Sequence, residues 1–308
     1  MLTRRHVRIK VMQLLYSIIN SKDFDAKQEH KKYLRSIQST YNLYYTLISV
    51  FKLTYNLAYN KFNIKPKLKS KSSSSSDKLI INNPYFKFFF EDKIVEEYLN
   101  ERKVNNCLLD FEYLEGFYNC LITSKFFSNF SKDKNKFDLD LCAYYYKECV
   151  ANSEIFYNSL EDNEITWVDD FPYLNTYILK QLKTLKLYNS SNFFPKLKNS
   201  SSEIIFGTNL LEKVFKYSDY LDLEISANTP NWDKDRIANL DFIILKMAIV
   251  ELLYFNEIPV KVTLNEYIEI AKDYSTPKSN VFVNGVLDNL SKLYKEKGSL
   301  NKTGRGLV

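Results

Sequence analysis

Apolar positions recur along this chain with the period of amphipathic helices. Between residues 4 and 20 they follow the i, i+4, i+7, i+11 spacing, which places them on one helical face. These positions are Val7, Val11, Leu14 and Ile18. Residues 28–61 show a similar distribution over a greater length, with leucines and several tyrosines. The pattern therefore predicts a first helix at the start of the chain and a longer second helix.

The last third of the chain holds its most apolar segment. Residues 240–255 are almost wholly apolar, so we expect a helix there that is buried on most sides. Pro259 ends this segment, because proline cannot continue a helix. Three or four further helical segments are predicted between residues 84 and 190. The chain thus reads as a succession of helices joined by short polar turns.

Two more helices are predicted after this apolar segment. Thr263 and Glu266 have the spacing of a capping box, which predicts a helix that begins near Leu264. A Ser-Thr-Pro turn separates it from a last helix that runs to about Lys297. Gly285 lies within this last helix, where glycine costs about 1 kcal/mol relative to alanine. We expect Gly285 to permit close approach of two helix backbones.

Polar segments suggest how the chain is divided. A run of lysines and serines predicts a flexible loop at about residues 63–83, because such a composition buries too little apolar surface to become ordered. We expect an expanded N-terminal helical subdomain over residues 1–230 and a C-terminal helical subdomain over residues 231–297. Residues 298–308 are predicted to form a disordered tail.

Composition supports an all-α fold. The 308 residues include only 6 glycines and 7 prolines, whereas β-rich and dinucleotide-binding folds need many glycine turns. Hydrophobic residues make up 45% and aromatic residues 16%, which is enough for a large core. The net charge of +6 is mildly basic, so any nucleic-acid site must be a local concentration of charge.

The sequence offers little that is typical of an enzyme. It has no glycine-rich nucleotide loop, and His6 and His30 have no neighbours that suggest catalysis. The acidic stretch 161–171 is most simply a helix N-terminus, with Trp167 as a core residue. The four cysteines lack zinc-site spacing and are interpreted as buried thiols in a reducing compartment. We expect no enzymatic activity, no cofactor, no metal, no membrane span and a cytoplasmic location.

Three stretches of the chain resemble the NusB family of bacterial transcription antitermination factors. Residues 4–16, "RRHVRIKVMQLLY", are similar to the family's opening helix, with its clustered arginines and closing Leu-Tyr. Residues 231–253 resemble its central helix, and residues 258–288 carry its Phe-Val-Asn-Gly-Val-Leu-Asp motif in the family's order of motifs. Typical members are less than half as long, so residues 21–200 look like an expansion of the first helical subdomain.

The resemblance implies both a fold and a function. The expected fold is all-α, with two packed helical subdomains of the NusB type. The expected function is binding of boxA-type RNA in a heterodimer with NusE, a ribosomal protein. This complex joins elongating RNA polymerase and other Nus factors and opposes termination, chiefly on ribosomal RNA operons. The resemblance implies no chemical reaction.

The family motifs assign an RNA-binding surface to residues at both ends of the chain. Clustered arginines at a helix N-terminus are also what contact with phosphate requires. The residues expected to bind RNA are Arg4, Arg5, Arg8, Lys272, Lys278 and Ser279. Exposed tyrosines such as Tyr274 could stack on RNA bases.

Tyr16 and Asp241 match family positions on the side that faces NusE. Asp241 is equally well explained as an acidic residue that stabilises a helix N-terminus. Asn280 and Val281 replace residues that are often basic in relatives, which weakens the RNA surface there. Two alternatives therefore stay open: a helical protein-binding scaffold with weak or no RNA binding, and an RNA methyltransferase with a related helical domain, which would need a glycine-rich cofactor loop.

Overall fold

The computed structural model describes residues 1–19, 25–64, 73–101, 111–132, 137–187, 193–195, 201–229 and 238–307. Within these ranges every regular element is helical, which confirms the all-α prediction. The fifteen α-helices of the described ranges are α1 Arg4–Ile19, α2 Ala26–Ile64, α3 Ser73–Ile81, α4 Pro84–Glu91, α5 Lys93–Glu101, α6 Phe111–Thr123, α7 Lys125–Lys132, α8 Asp138–Tyr144, α9 Glu154–Asn163, α10 Thr166–Thr184, α11 Ser202–Lys216, α12 Ser218–Asn228, α13 Asn239–Tyr254, α14 Val260–Tyr274 and α15 Ser279–Glu296. A π-helical turn, Tyr145–Ala151, follows α8, and a 3-10 turn covers Gly304–Leu307.

The chain divides into two compact units that differ from the predicted subdomains. The insert unit comprises Gln38–Leu197 together with Met1. The terminal unit comprises Leu2–Ile37 and Lys198–Val308. The division predicted at residue 230 falls within the terminal unit, where α1, α11 and α12 pack against α13.

The insert unit is built around an aromatic core. The Phe51 ring of α2 stacks on Phe89 with centroids 4.5 Å apart, and Phe86 and Tyr145 pack edge-on or tilted around it. Trp167 is buried as predicted, and its indole N–H donates to the Ser39 hydroxyl at 2.8 Å. Buried aromatic side chains contribute large apolar areas, which accounts for the stability of this unit.

Part of the segment predicted to be a flexible loop is helical. Residues 65–72 lie outside the described ranges, but α3 begins at Ser73 and buries Ile80 and Asp77. The Tyr118 hydroxyl of α6 donates to the Asp77 carboxylate at 2.5 Å. The sequence did not predict this helix, because the residues that become buried come only after the run of serines.

The terminal unit is centred on α13, the predicted apolar helix. Its side chains Ile244, Met247 and Ile249 are fully buried. The next helix, α14, begins at Val260 rather than near Leu264. The predicted capping box is absent there because the Thr263 hydroxyl donates to Glu251 instead of capping a helix.

Close helix approach occurs at a glycine other than the one predicted. A Cβ atom at Gly285 would meet no heavy atom within 4 Å, so this position needs no glycine for packing within the chain. A Cβ atom at Gly207 in α11 would overlap with the Tyr33 hydroxyl and a Val7 methyl group. Gly207 therefore allows α11 to pack closely on α1 and α2.

The tail predicted to be disordered packs against the end of α13 as far as Gly306. The Thr303 amide donates to the Asn256 carbonyl at 3.0 Å, and the Lys302 ammonium donates to the Phe255 carbonyl at 3.0 Å. Carbonyl groups at the end of α13 lack helical partners, so the tail satisfies hydrogen bonds that the helix leaves open.

Candidate nucleic-acid interface

The first turn of α1 presents an exposed arginine, Arg4, and a partly exposed one, Arg5. The Arg4 guanidinium lies 5.4 Å from the centroid of the Phe206 ring on α11, a cation–π distance. Arg5 is 34% exposed and forms an ion pair with Asp273 at 3.0 Å. An exposed pair of this kind is weak and open to exchange, so both guanidinium groups are accessible to a phosphate ligand.

Arg8, the third predicted RNA-binding arginine, is buried. Only 2% of its side chain is exposed, and its Nε and Nη2 atoms each donate to the Glu251 carboxylate at 2.8 Å. Its Nη1 atom donates to Glu266 at 3.3 Å. Burial alone would lower the pKa of Arg8, but the hydrogen bond and charge of Glu251 outweigh burial and raise that pKa. Arg8 therefore differs from the prediction: it joins α1 to α13 and α14 and does not face a ligand.

Glu251, the partner of Arg8, has hydrogen-bond donors for both of its carboxylate oxygens. Glu251 is 0% exposed and also accepts hydrogen bonds from the Thr263 hydroxyl at 2.8 Å and the Tyr267 hydroxyl at 3.1 Å. Burial and the Glu251 charge together raise the pKa of Tyr267, so its hydroxyl stays protonated and continues to donate. Removal of one member of such a network leaves an uncompensated buried charge.

His6 adds no positive charge to the first turn at neutral pH. Burial, followed by the charges of Arg5 and Lys10, lowers the pKa of His6 from 6.5 to about 4. Its Nδ1 atom forms a hydrogen bond with the Thr3 hydroxyl at 2.7 Å. The accessible charge in the first turn therefore belongs to Arg4 and Arg5.

Two open grooves flank Arg4. One has a volume of about 400 Å³ and runs between the first turn of α1 and the start of α14, with Glu257 and Val262 in its wall. The other has a volume of about 470 Å³ and is lined by Arg4, Asn209 and Tyr254. Groups that accept and donate hydrogen bonds beside an arginine suit an extended polar ligand.

Tyr254 connects the second groove to a cluster that sequence reasoning missed. Its ring stacks on Tyr217, with centroids 4.6 Å apart and planes 5° apart. Lys213 lies 5.2 Å from the Tyr254 centroid, and Lys216 lies 5.1 Å from the Tyr217 centroid. The hydrogen bond and charge of Lys216 lower the pKa of Tyr217. We refer to these four residues as the lysine–tyrosine cluster; the signal in the sequence was "KVFKY" at the end of α11.

The remaining predicted residues lie around the turn between α14 and α15. Tyr16 is 45% exposed and lines a groove of about 530 Å³ together with Tyr274 and Ser275. Lys272 and Lys278 are exposed, and Lys272 lies 4.0 Å from Glu269. These positions are accessible, and Lys272 is next in sequence to Asp273, the ion-pair partner of Arg5.

Asp241 and Ser279 are buried where exposed contacts were expected. Their side chains are 5% and 2% exposed, and the Ser279 hydroxyl donates to Asp241 Oδ2 at 2.7 Å. The Ser275 hydroxyl donates to the other carboxylate oxygen at 2.6 Å. The structure therefore places Asp241 in the role of an anchor for the α14–α15 turn.

The structure shows neither a membrane-spanning segment nor a metal cluster in its described ranges. No helix there combines the length and apolar character that crossing a bilayer requires. No group of three or more His, Cys, Asp or Glu side chains converges there in a way that could hold a metal ion.

Comparison with known proteins identifies relatives of this chain. A family model described as the NusB family matches residues 178–292. The chain is 47% identical over 103 residues to the transcription antitermination protein NusB of Salinibacter ruber, covering 33% of this chain and 64% of the relative. It is 44% identical over 99 residues to the protein of that name from Chloroherpeton thalassium, covering 32% and 47%.

A third relative is covered almost completely. The transcription antitermination protein NusB of Bacillus pumilus is 40% identical over 124 residues, which are 38% of this chain and 94% of that protein. The chain spans about two thirds and about half of the other two relatives. No solved structure matches the chain significantly. Since nearly all of the Bacillus pumilus protein aligns at this identity, the chain belongs to the NusB family.

Proposed function

We propose that the protein is a transcription antitermination factor that binds boxA-type RNA together with NusE. In this role it joins elongating RNA polymerase and other Nus factors and opposes premature termination, chiefly on ribosomal RNA operons. It acts as a binding protein in the cytoplasm and catalyses no reaction. The observation that carries the proposal is the accessible Arg4–Arg5 pair at the N-terminus of α1, within the unit that contains most of the family match.

The physical basis for RNA binding is phosphate contact followed by base stacking. The amides at the N-terminus of α1 favour anions, and Arg4 and Arg5 add two accessible charges there. The groove beside Arg4 leads to the lysine–tyrosine cluster, whose rings and ammonium groups suit a single-stranded backbone and its bases. In the proposed RNA-binding surface, the lysine–tyrosine cluster takes the place of Arg8 and Ser279, which are buried.

Fluorescence anisotropy with labelled boxA RNA, at several salt concentrations and with or without NusE, tests the proposal. We expect the Arg4→Ala/Arg5→Ala variant to bind at least tenfold more weakly. Loss of two phosphate contacts should also reduce the slope of log K against log salt by about 1.4. The matched control removes two charges from exposed ion pairs of the insert unit, in Lys87→Ala/Lys147→Ala. Equal affinity of both variants and the parent would refute this RNA site.

A second measurement tests the lysine–tyrosine cluster separately. We expect Lys213→Ala/Lys216→Ala to weaken binding to boxA and to unrelated single strands by a similar factor, since backbone contacts carry no sequence information. Tyr254→Ala should weaken binding through lost stacking, and Tyr59→Ala, at an exposed tyrosine of the insert unit, serves as its control. If binding to boxA weakens while binding to unrelated single strands does not, the cluster recognises the RNA sequence, and the proposed contact with the RNA backbone is wrong.

For the NusE contact, Tyr16 is the residue to test. It is exposed and lines a groove, whereas Asp241 is buried, so an Asp241 variant would mainly report on folding. We expect Tyr16→Ala to weaken the complex with NusE about tenfold while the far-UV circular dichroism spectrum stays helical. Unchanged affinity in an isothermal titration would remove Tyr16 from the interface.

The alternative function is a helical protein-binding scaffold. It is favoured by the burial of Arg8 and Ser279 and by the absence of basic side chains at Asn280 and Val281. These features leave fewer RNA contacts than the family resemblance implies. Failure of the parent protein to bind boxA even with NusE present would support the scaffold.

A further inference from the structure

Two thiols of the insert unit meet where α6 packs against the π-helical turn. Cys120 lies on the exposed side of α6, whereas Cys149 in the π-helical turn is only 3% exposed. The two side chains are near enough for Cys120 to raise the pKa of Cys149. The Cys120 Sγ atom also lies 3.9 Å from the carbonyl oxygen of Glu148, the residue before Cys149. The pair lies outside the residues that match the NusB family.

The π-helical turn holds Cys149 in place. The Tyr145 hydroxyl forms a 2.5 Å hydrogen bond with the Thr54 hydroxyl, and the Tyr146 hydroxyl donates to Asn175 at 2.7 Å. Both tyrosines are fully buried. A wide π-turn inside a run of α-helix often marks a functional position. Because this segment is anchored on two sides and packs against α6, Cys149 has a fixed position beside the helix that carries Cys120.

We propose that Cys120 and Cys149 are a site of reversible oxidation by hydroperoxides, with an intramolecular disulfide as the product. The Cys120 thiolate attacks a peroxide oxygen, the O–O bond breaks, and the first water leaves after protonation. The Cys149 sulfur then attacks the sulfenic acid sulfur of Cys120 and loses its thiol proton, and the hydroxyl group leaves as the second water. Two thiols and one hydrogen peroxide thus give one disulfide and two waters, and a dithiol reductant reverses the change.

The environments of the two sulfurs set the order of these steps. Burial raises the pKa of Cys149, and contact with Cys120 raises it further, so Cys149 is a poor first nucleophile. Cys120 is exposed and reaches the oxidant first. Cys142 provides a comparison within the same unit: burial raises its pKa, and its thiol donates to Asn83 at 3.7 Å. Cys142 should therefore stay reduced.

The test uses the full-length protein, treated with a small molar excess of hydrogen peroxide, alkylated and analysed by mass spectrometry. Digestion needs trypsin and a glutamate-specific protease, because one tryptic peptide contains both Cys107 and Cys120. We expect a linked Cys120–Cys149 peptide that disappears after treatment with dithiothreitol. Both thiols found alkylated, or Cys120 linked to another cysteine or to a second chain, would overturn the proposal.

Variants separate the two steps. Cys120→Ser, an exposed substitution, should abolish the linked peptide, and Cys149→Ser should leave a Cys120 sulfenic acid that dimedone traps. Cys142→Ser is the control and should retain the linked peptide. Circular dichroism identifies any variant that fails to fold, and the measurement on the parent protein needs no variant. No step uses RNA, so the result is independent of the proposed antitermination function.

Discussion

At the scale of single residues, two arginines three positions apart on α1 have different roles. Arg5 forms an exposed ion pair with Asp273, whereas Arg8 is enclosed by Glu251, Glu266 and two aromatic rings. Exposed pairs contribute little to stability, and one partner removed from a buried pair costs several kcal/mol. The same residue type therefore serves ligand binding at one position and folding at the other.

We predict that Arg8→Ala lowers the free energy of unfolding by about 3–5 kcal/mol, since it leaves the Glu251 carboxylate buried without its cation. Arg5→Ala should lower it by less than about 1 kcal/mol. Urea denaturation followed by circular dichroism measures both. Similar, small losses for the two variants would contradict the anchoring role of Arg8.

His6 makes stability depend on pH. Its folded pKa of about 4 lies below its ordinary value of 6.5, so between these values the unfolded chain binds more protons than the folded one. The contribution of His6 is therefore fully present above pH 6.5 and is lost as the pH falls towards 4. We expect a loss of about 2 kcal/mol over this window that is smaller in His6→Gln, from urea titrations at each pH. A parent and variant with parallel pH profiles would rule out this role.

At the scale of helices, two glycines give opposite predictions. Gly207→Ala places a methyl group against Tyr33 and Val7 and should destabilise the protein by about 1–3 kcal/mol. Gly285→Ala meets open space and should stabilise it by about 0.5–1 kcal/mol through helix propensity. Thermal unfolding of the two variants provides the comparison. If Gly285→Ala were the more damaging change, the packing described for α11 and α15 would be wrong.

The sequence predicted the helix positions correctly wherever the buried side chains recur with the period of a helix. The apolar face of α1, the length of α2 and the burial of α13 all appear in the spacing of side chains. The spacing of side chains did not predict contacts between residues that are distant in sequence. Arg8 and Glu251, for example, are 243 positions apart. A useful signal was present, because Glu251 is an acid within an apolar run and so requires a partner.

At the scale of the whole chain, one compact unit is assembled from two segments that are far apart in the sequence. Leu2–Ile37 and Lys198–Val308 form the terminal unit, and Gln38–Leu197 forms a unit with its own aromatic core. The sequence motifs at residues 231–253 and 258–288 lie within the family match and identified the family correctly. They did not locate the division, because motifs mark similarity and the boundary depends on which helices pack together. The insert unit has no counterpart in the family match before residue 178.

Photo-crosslinking tests whether the terminal unit holds RNA through the first turn of α1. BoxA RNA that contains 4-thiouridine is irradiated with the full-length protein and NusE, and the linked peptides are sequenced by mass spectrometry. We predict cross-links in the peptides of the first turn of α1 and of the lysine–tyrosine cluster, lost in Arg4→Ala/Arg5→Ala. Cross-links confined to residues 38–197 would contradict the account.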